Sequence, residues 1–117
     1  MNTVRQQQGV YTIRQDDTVE SIGLGKPKDT FRKIFIYPGA PDDSNTTTGL
    51  SDNGASVYLG LDCDGKKITP DELAATDVGS PRLYQTPNVK NSDEQMLLKD
   101  VLIRGKAGDS VYFVYWQ

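Results

Sequence analysis

Apolar residues in this chain come in short, mostly alternating runs, divided by stretches of Gly, Pro, Asp, Asn and Ser. The densest runs lie near the C-terminal end. Residues 95–104 and 110–116 are crowded with β-branched and aromatic side chains and read as two strands. Residues 105–109, with Gly105 and Gly108, read as the loop of a terminal hairpin. The second strand is apolar on both faces: Val111, Phe113 and Tyr115 alternate with Tyr112, Val114 and Trp116. Such a strand needs cover on both sides. The domain's own core supplies one cover; a second sheet or another molecule must supply the other.

Upstream, residues 10–14 suit a first strand, 19–25 a weakly alternating second, and 31–37 a strong third stopped by Pro38 and Gly39. Residues 38–55 are dense in polar turn formers, with almost nothing to bury, and are expected to form an exposed loop. Residues 56–61 are the next strand, with a turn at 62–65. Residues 69–76 read as a short helix, with Thr69 as N-cap, Pro70 at the first helical position and Glu72 closing a capping box. Residues 77–94 are turn and loop, with Leu83 and Tyr84 as a brief strand. Many short strands with a turn signal every ten or so residues indicate an all-β fold. The expectation is an antiparallel β-sandwich, jelly-roll-like or Ig-like, with one short helix. Residues 10–117 make this single domain. Residues 1–9, polar and rich in Gln, make an extended arm, either frayed or ordered against a neighbouring subunit.

Composition sharpens this. The length of 117 residues fits one domain, able to bury roughly 65% of its unfolded surface. The apolar fraction of 36% is low, which argues for a thin core with long loops or for burial shared in an assembly. Thirteen basic against sixteen acidic residues leave a net charge of −3, with no basic stripe, so no nucleic-acid partner is expected. No apolar stretch can span a bilayer, and residues 1–8 lack the apolar core of a signal peptide, so no membrane is expected and synthesis is placed in a reducing cytoplasm. The single cysteine, Cys63, allows no intramolecular disulfide. Histidine is absent, which removes the usual general base and metal ligand.

Candidate chemistry is correspondingly weak. Asp62, Asp64, Gly65, Ile68 and Glu72 resemble part of an EF-hand loop, but the spacing fails. With Gly65 at position six, position one falls on Gly60, and Ile68 and Glu72 each sit one residue late. Gly23-Leu24-Gly25-Lys26 lacks the setting of a phosphate loop and reads as a tight turn. Asp16 with Asp17, and Asp42 with Asp43, read as solvated loop charges rather than a glycosidase pair. Cys63 has no base to activate it. No catalytic, cofactor-binding or metal residue is expected, and no cofactor. The aromatics carry more weight. Tyr11, Phe35, Tyr37, Tyr58, Tyr112, Tyr115 and Trp116 all fall in expected strands, where they fill the core or stand outward as anchors for a partner. The candidate interface is Tyr112, Val114, Trp116 and Tyr58, with Arg5 and Gln7 from the arm.

The stretch 98–112, ending near an aromatic terminus, resembles the C-terminal hairpin of small virion proteins of tailed bacteriophages. Residues 56–60 followed by 69–73 add to the likeness. The resemblance implies a non-enzymatic structural component of a phage particle, most simply a capsid decoration protein, and otherwise a tail or collar component. It implies a homo-oligomer, with a trimer as one form, and contacts with the major capsid protein or another virion protein. It places the chain in the virion after synthesis in the host cytoplasm. The competing reading is a carbohydrate- or receptor-binding sandwich. There Trp116, Tyr84 or Tyr115 would stack on a ligand beside the 38–55 loop.

Overall fold

The computed structural model describes residues 6–26, 28–63, 66–67, 71–76, 79–86 and 95–117. The strands are β1 (Gln6–Thr12), β2 (Glu20–Ser21), β3 (Thr30–Phe31), β4 (Lys33–Pro38), β5 (Val57–Cys63), β6 (Lys66–Lys67), β7 (Asp71–Leu73), β8 (Arg82–Gln85), β9 (Met96–Leu97), β10 (Val101–Arg104) and β11 (Ser110–Trp116). One main sheet has the order β1-β11-β4-β8; the other runs β2-β10-β5-β6, with β7 also pairing β5, and β3 and β9 pair as a separate two-stranded piece. Every pairing is antiparallel.

The wiring decides between the two sandwich types. β1 pairs β11, β2 faces β10, β4 pairs β8 and β5 pairs β7. These are the rungs of one long antiparallel ribbon, with β1-β2-β4-β5 running out and β7-β8-β10-β11 running back. The ribbon is rolled so that alternate rungs fall in opposite sheets. That is a jelly roll. An Ig sandwich would keep its first two strands in one sheet; here β1 and β2 lie in different ones.

The two inner faces follow from alternation. In the first sheet Ile34, Ile36, Val111, Phe113 and Tyr115 point inward; in the second Val57, Leu59, Leu61, Leu73, Val101 and Ile103 do. All are buried in one cluster, with Phe31, Met96, Leu98 and Ile13 closing its margins. The burial of β4 alternates without a break, as a strand with one face on the core should.

Several expectations change. Residues 101–104 and 110–116 are not a hairpin: β10 belongs to one sheet and β11 to the other. The loop between them crosses the sandwich. Asp17 N–H donates to Gly105 O at 2.8 Å, Ile13 N–H to Asp109 O at 2.8 Å, and Ala107 N–H to Asp16 Oδ1 at 2.8 Å. These bonds tie the loop to the 13–17 turn instead of closing a tight reversal. Gly105 suits a close approach, since a Cβ there would meet Ile13 Cδ1 at 2.8 Å and Val57 Cγ1 at 3.2 Å.

The helix expected over 69–76 is also absent where it is described. Residues 71–73 form β7, with Leu73 fully buried opposite Val57. Thr69 and Pro70 of the capping signal lie outside the described residues. The free edge of β5 outweighs that local signal, because a helix would leave its ladder groups unpaired. A 3-10 turn at Leu98–Asp100 splits the expected 95–104 strand into β9 and β10. Residues 6–9, read as part of the arm, form the first half of β1 against β11. The 38–55 segment is held to the body. Asn53 brackets Ser110, accepting from its N–H at 3.0 Å and donating to its O at 2.8 Å. Gly54 N–H donates to Asp109 Oδ1 at 3.0 Å.

Candidate functional site: an aromatic outer face

β11 lies between β1 and β4, so its second set of side chains stands on the outside of the sheet. Residues paired across an antiparallel ladder share a face, so the register defines the surface. Tyr112 lies opposite Tyr37 and Val10, Val114 opposite Phe35 and Gln8, and Trp116 opposite Lys33 and Gln6. Leu83 extends the face from β8 beside Phe35. Val10 is 49% exposed and Leu83 40%, while the rings between them are half-buried.

The rings brace one another. Phe35 and Trp116 meet edge to face at 5.7 Å between centroids, and Tyr37 and Tyr112 at 5.8 Å. Lys33 Nζ sits 4.7 Å from the Trp116 centroid, so its charge is carried over the indole without leaving water. The Tyr112 hydroxyl donates to Gln8 Oε1 at 2.8 Å, joining β11 to β1. Tyr37, Tyr112 and Val114 form a pocket of about 230 Å³ with Thr48 and Leu50 of the 38–55 loop.

That loop is a built wall. Pro41 and Leu50 bridge each other, and Asn45 Nδ2 donates to Leu50 O at 2.7 Å. The Ser44 hydroxyl and N–H both donate to Asp42 Oδ1, at 2.6 and 3.0 Å, and hold that carboxyl below its usual range. Much of the polar chemistry around Asp42 and Asn45 is thus engaged in the segment's own turns.

A larger cleft, about 380 Å³, opens at the seam between β1 and β2, where Tyr11, Arg14, Val19, Glu20 and Leu24 meet. Its carboxylate is already occupied. Glu20 accepts from the Tyr11 hydroxyl at 2.5 Å and from the N–H groups of Arg14 and Gln15 at 3.1 to 3.2 Å. Burial, and then this bond, push the Tyr11 phenol up to about 12. Burial works the other way on Glu20, but the Tyr11 bond, the two N–H donors and the Arg14 charge together lower its carboxyl. The group is a structural latch.

Tyr112, Val114 and Trp116 therefore lie on one face, Tyr112 and Trp116 half-buried and Val114 only 9% exposed. Tyr58 does not join them. It stands on the outer face of the other sheet, 36% exposed, opposite Arg104 and Glu72, with the guanidinium 5.3 Å from its ring. Gln7 is on the inward side of β1, opposite Tyr115, and Arg5 lies outside the described residues. Sequence reasoning left Val10, Lys33, Phe35, Tyr37 and Leu83 out of the interface. The available signal was in β4, where Phe35 and Tyr37 alternate with Ile34 and Ile36 as a second two-faced strand. Tyr84 and Tyr115, considered as ligand stackers, are buried instead. Their hydroxyls donate to Asp71 Oδ2 at 2.9 Å and Asp29 Oδ2 at 2.6 Å. Burial first, and the carboxylate bonds second, raise both phenols. Asp64 and Gly65 of the EF-hand-like stretch lie outside the described residues, as does the side chain of Cys63. Among the described residues no group of three or more Cys, Asp or Glu could hold a metal ion.

No protein-family model and no curated protein matches this chain. It has a likeness to the solved structure described as the crystal structure of the STIV MCP, with a TM-score of 0.48 and 13% identity, covering 97% of this chain and 40% of that one. This chain spans less than half of that chain's length, and a likeness of this size carries no conclusion about function.

Proposed function

We propose that the chain is a non-enzymatic structural component of a phage particle, a capsid decoration protein whose aromatic outer face lies against the shell or a neighbouring subunit. One observation carries the reading: the outer face of β1-β11-β4-β8 presents Val10, Phe35, Tyr37, Leu83, Tyr112 and Trp116 as one surface around the buried Val114. Tyr and Trp are the residues that dominate interface energetics. Edge-to-face pairing has already ordered these rings, so docking costs less side-chain entropy. Jelly rolls serve in capsids and in lectins. Fold alone does not choose between them, and the breadth of the aromatic face, which spans four strands rather than one pocket, favours the first.

The test is sedimentation of virus particles from cells carrying the gene. The native chain should band with the particles, Trp116→Ser with Tyr37→Ser should be lost from the band, and Tyr58→Ser should remain. A native chain that stays at the top of the gradient overturns the proposal. A second reading, a carbohydrate-binding jelly roll, draws on the pocket between Tyr37 and Tyr112. A glycan-array signal abolished by Tyr112→Ala would favour it.

A further inference from the structure

The edges of the two sheets are treated differently. β2 is two residues long, β6 is Lys66–Lys67, and β8 is four residues long and begins with Arg82. Short length and edge charge are the ordinary guards against strand-to-strand association. β1 has neither. It is seven residues long, contains no charge and no proline, and keeps an unbroken register against β11. No described strand pairs with its other side.

The backbone parity is legible. Ile13 N–H donates to Asp109 O, toward β11. Alternation along an extended strand then turns Tyr11, Gly9 and Gln7 toward β11, and Thr12, Val10, Gln8 and Gln6 outward. Arg14 has the outward parity, and its N–H is taken by the Glu20 carboxylate at 3.1 and 3.2 Å. The chain therefore closes its own edge beyond Thr12 and leaves the stretch 6–12 open.

We infer that two copies join through β1, antiparallel about a two-fold axis at Gly9, into one continuous sheet. That centre pairs Gln8 with Val10 of the second copy and Gln6 with Thr12, so all four outward residues find partners in one register. Strand addition at an exposed edge is a recurring mode of association, and a two-fold pairing is closed and self-complementary. The absence of charge over 6–13 removes like-charge repulsion at the seam. Val10 is 49% exposed and would meet Gln8 of the second copy, continuing the aromatic face from one copy to the next. At the axis the chain has glycine, where a Cβ would meet Phe113 Cζ at 2.7 Å. The inference concerns self-association and does not rest on the virion reading.

Sedimentation velocity of the full chain tests it. The native protein should show a reversible monomer–dimer equilibrium. Val10→Pro removes an outward N–H that the chain's own sheet does not use, and it should raise the dissociation constant at least about tenfold, since each copy loses a donor. Because a proline can disturb a strand, Gln8→Lys with Val10→Lys is the second variant. It sets lysines opposite one another across the axis, and its dimer should weaken by a similar factor and recover with added salt. Trp116→Ser should leave the dimer intact. A native chain that stays monomeric at the highest attainable concentration overturns the inference. So does a dimer that both β1 variants preserve, or one lost with Trp116→Ser alone.

Discussion

The two sheets of this jelly roll are alike inside and unlike outside. Both inner faces are apolar and buried in one cluster, the first mixing aliphatic residues with Tyr84, Phe113 and Tyr115 and the second aliphatic throughout. Outside, the β1-β11-β4-β8 sheet carries rings braced against rings. The other sheet carries Tyr58, Asp62, Glu72 and Arg104, with Ser56 donating to Glu72 Oε1 at 2.9 Å. The first is flanked by its own loop, with Thr48 and Leu50 beside Tyr37 and Tyr112 and Pro41 beside Val10. A chain with a modest apolar fraction has thus put an unusual share of its large side chains where folding alone does not need them. Core-forming and surface-forming positions use the same residue types, and only the partner differs.

Four perturbations separate these roles. Inner positions should be the most sensitive and should not distinguish the sheets. Ile34→Ala in one and Leu59→Ala in the other should each cost about 2–5 kcal/mol in urea unfolding, because both sites are fully buried. A large asymmetry would mean that one sheet is not part of a common core. The outer aromatic face comes next. Trp116→Ser removes an edge-to-face pair and a cation–π contact, and should cost about 1–2 kcal/mol, while particle association falls much further than stability does. The other outer face should barely respond. Tyr58→Ser loses only an exposed contact with Arg104, worth less than about 1 kcal/mol. Equal costs at Trp116 and Tyr58 would erase the contrast.

The smallest effect is at the seam. The Tyr11 phenol is raised from 10.0 to about 12 in the folded chain. Its contribution to stability is complete below pH 10 and is lost as pH rises from about 10 to about 12. Glu20 is lowered, so its contribution is present above the ordinary carboxylate range and lost as pH falls through the folded value. Tyr11→Phe should flatten the alkaline decline of the melting temperature and also reduce the acid decline. Tyr84 and Tyr115 keep part of the alkaline decline, because their phenols are raised as well. A variant with an unchanged pH profile would show that the latch contributes nothing.

Part of the outer face is legible in the residue pattern itself. Tyr112, Val114 and Trp116 announce themselves, because a strand apolar on both faces cannot be satisfied by one core. Phe35 and Tyr37 carry the same signal, but their membership depends on β4 being the neighbour of β11, and pairing partners are not encoded locally. Tyr58, Tyr84 and Tyr115 look equivalent to the others in sequence. One stands outward on the opposite sheet and two are buried against carboxylates, and only the register and the partners separate them.

Alternation and turn chemistry by themselves determined that this chain is antiparallel β, with strong strands within the 31–37 and 110–116 runs. Those are properties of neighbours in sequence, readable from a period of two. Tertiary structure alone decided that 101–104 and 110–116 part company into opposite sheets, that residues 71–73 become a strand, and that the stretch 6–12 is left as an open edge. Each of these depends on hydrogen-bonding groups far apart along the chain. A backbone donor is indifferent to the identity of the residue that satisfies it, so residue identities alone do not say which distant strand will do so.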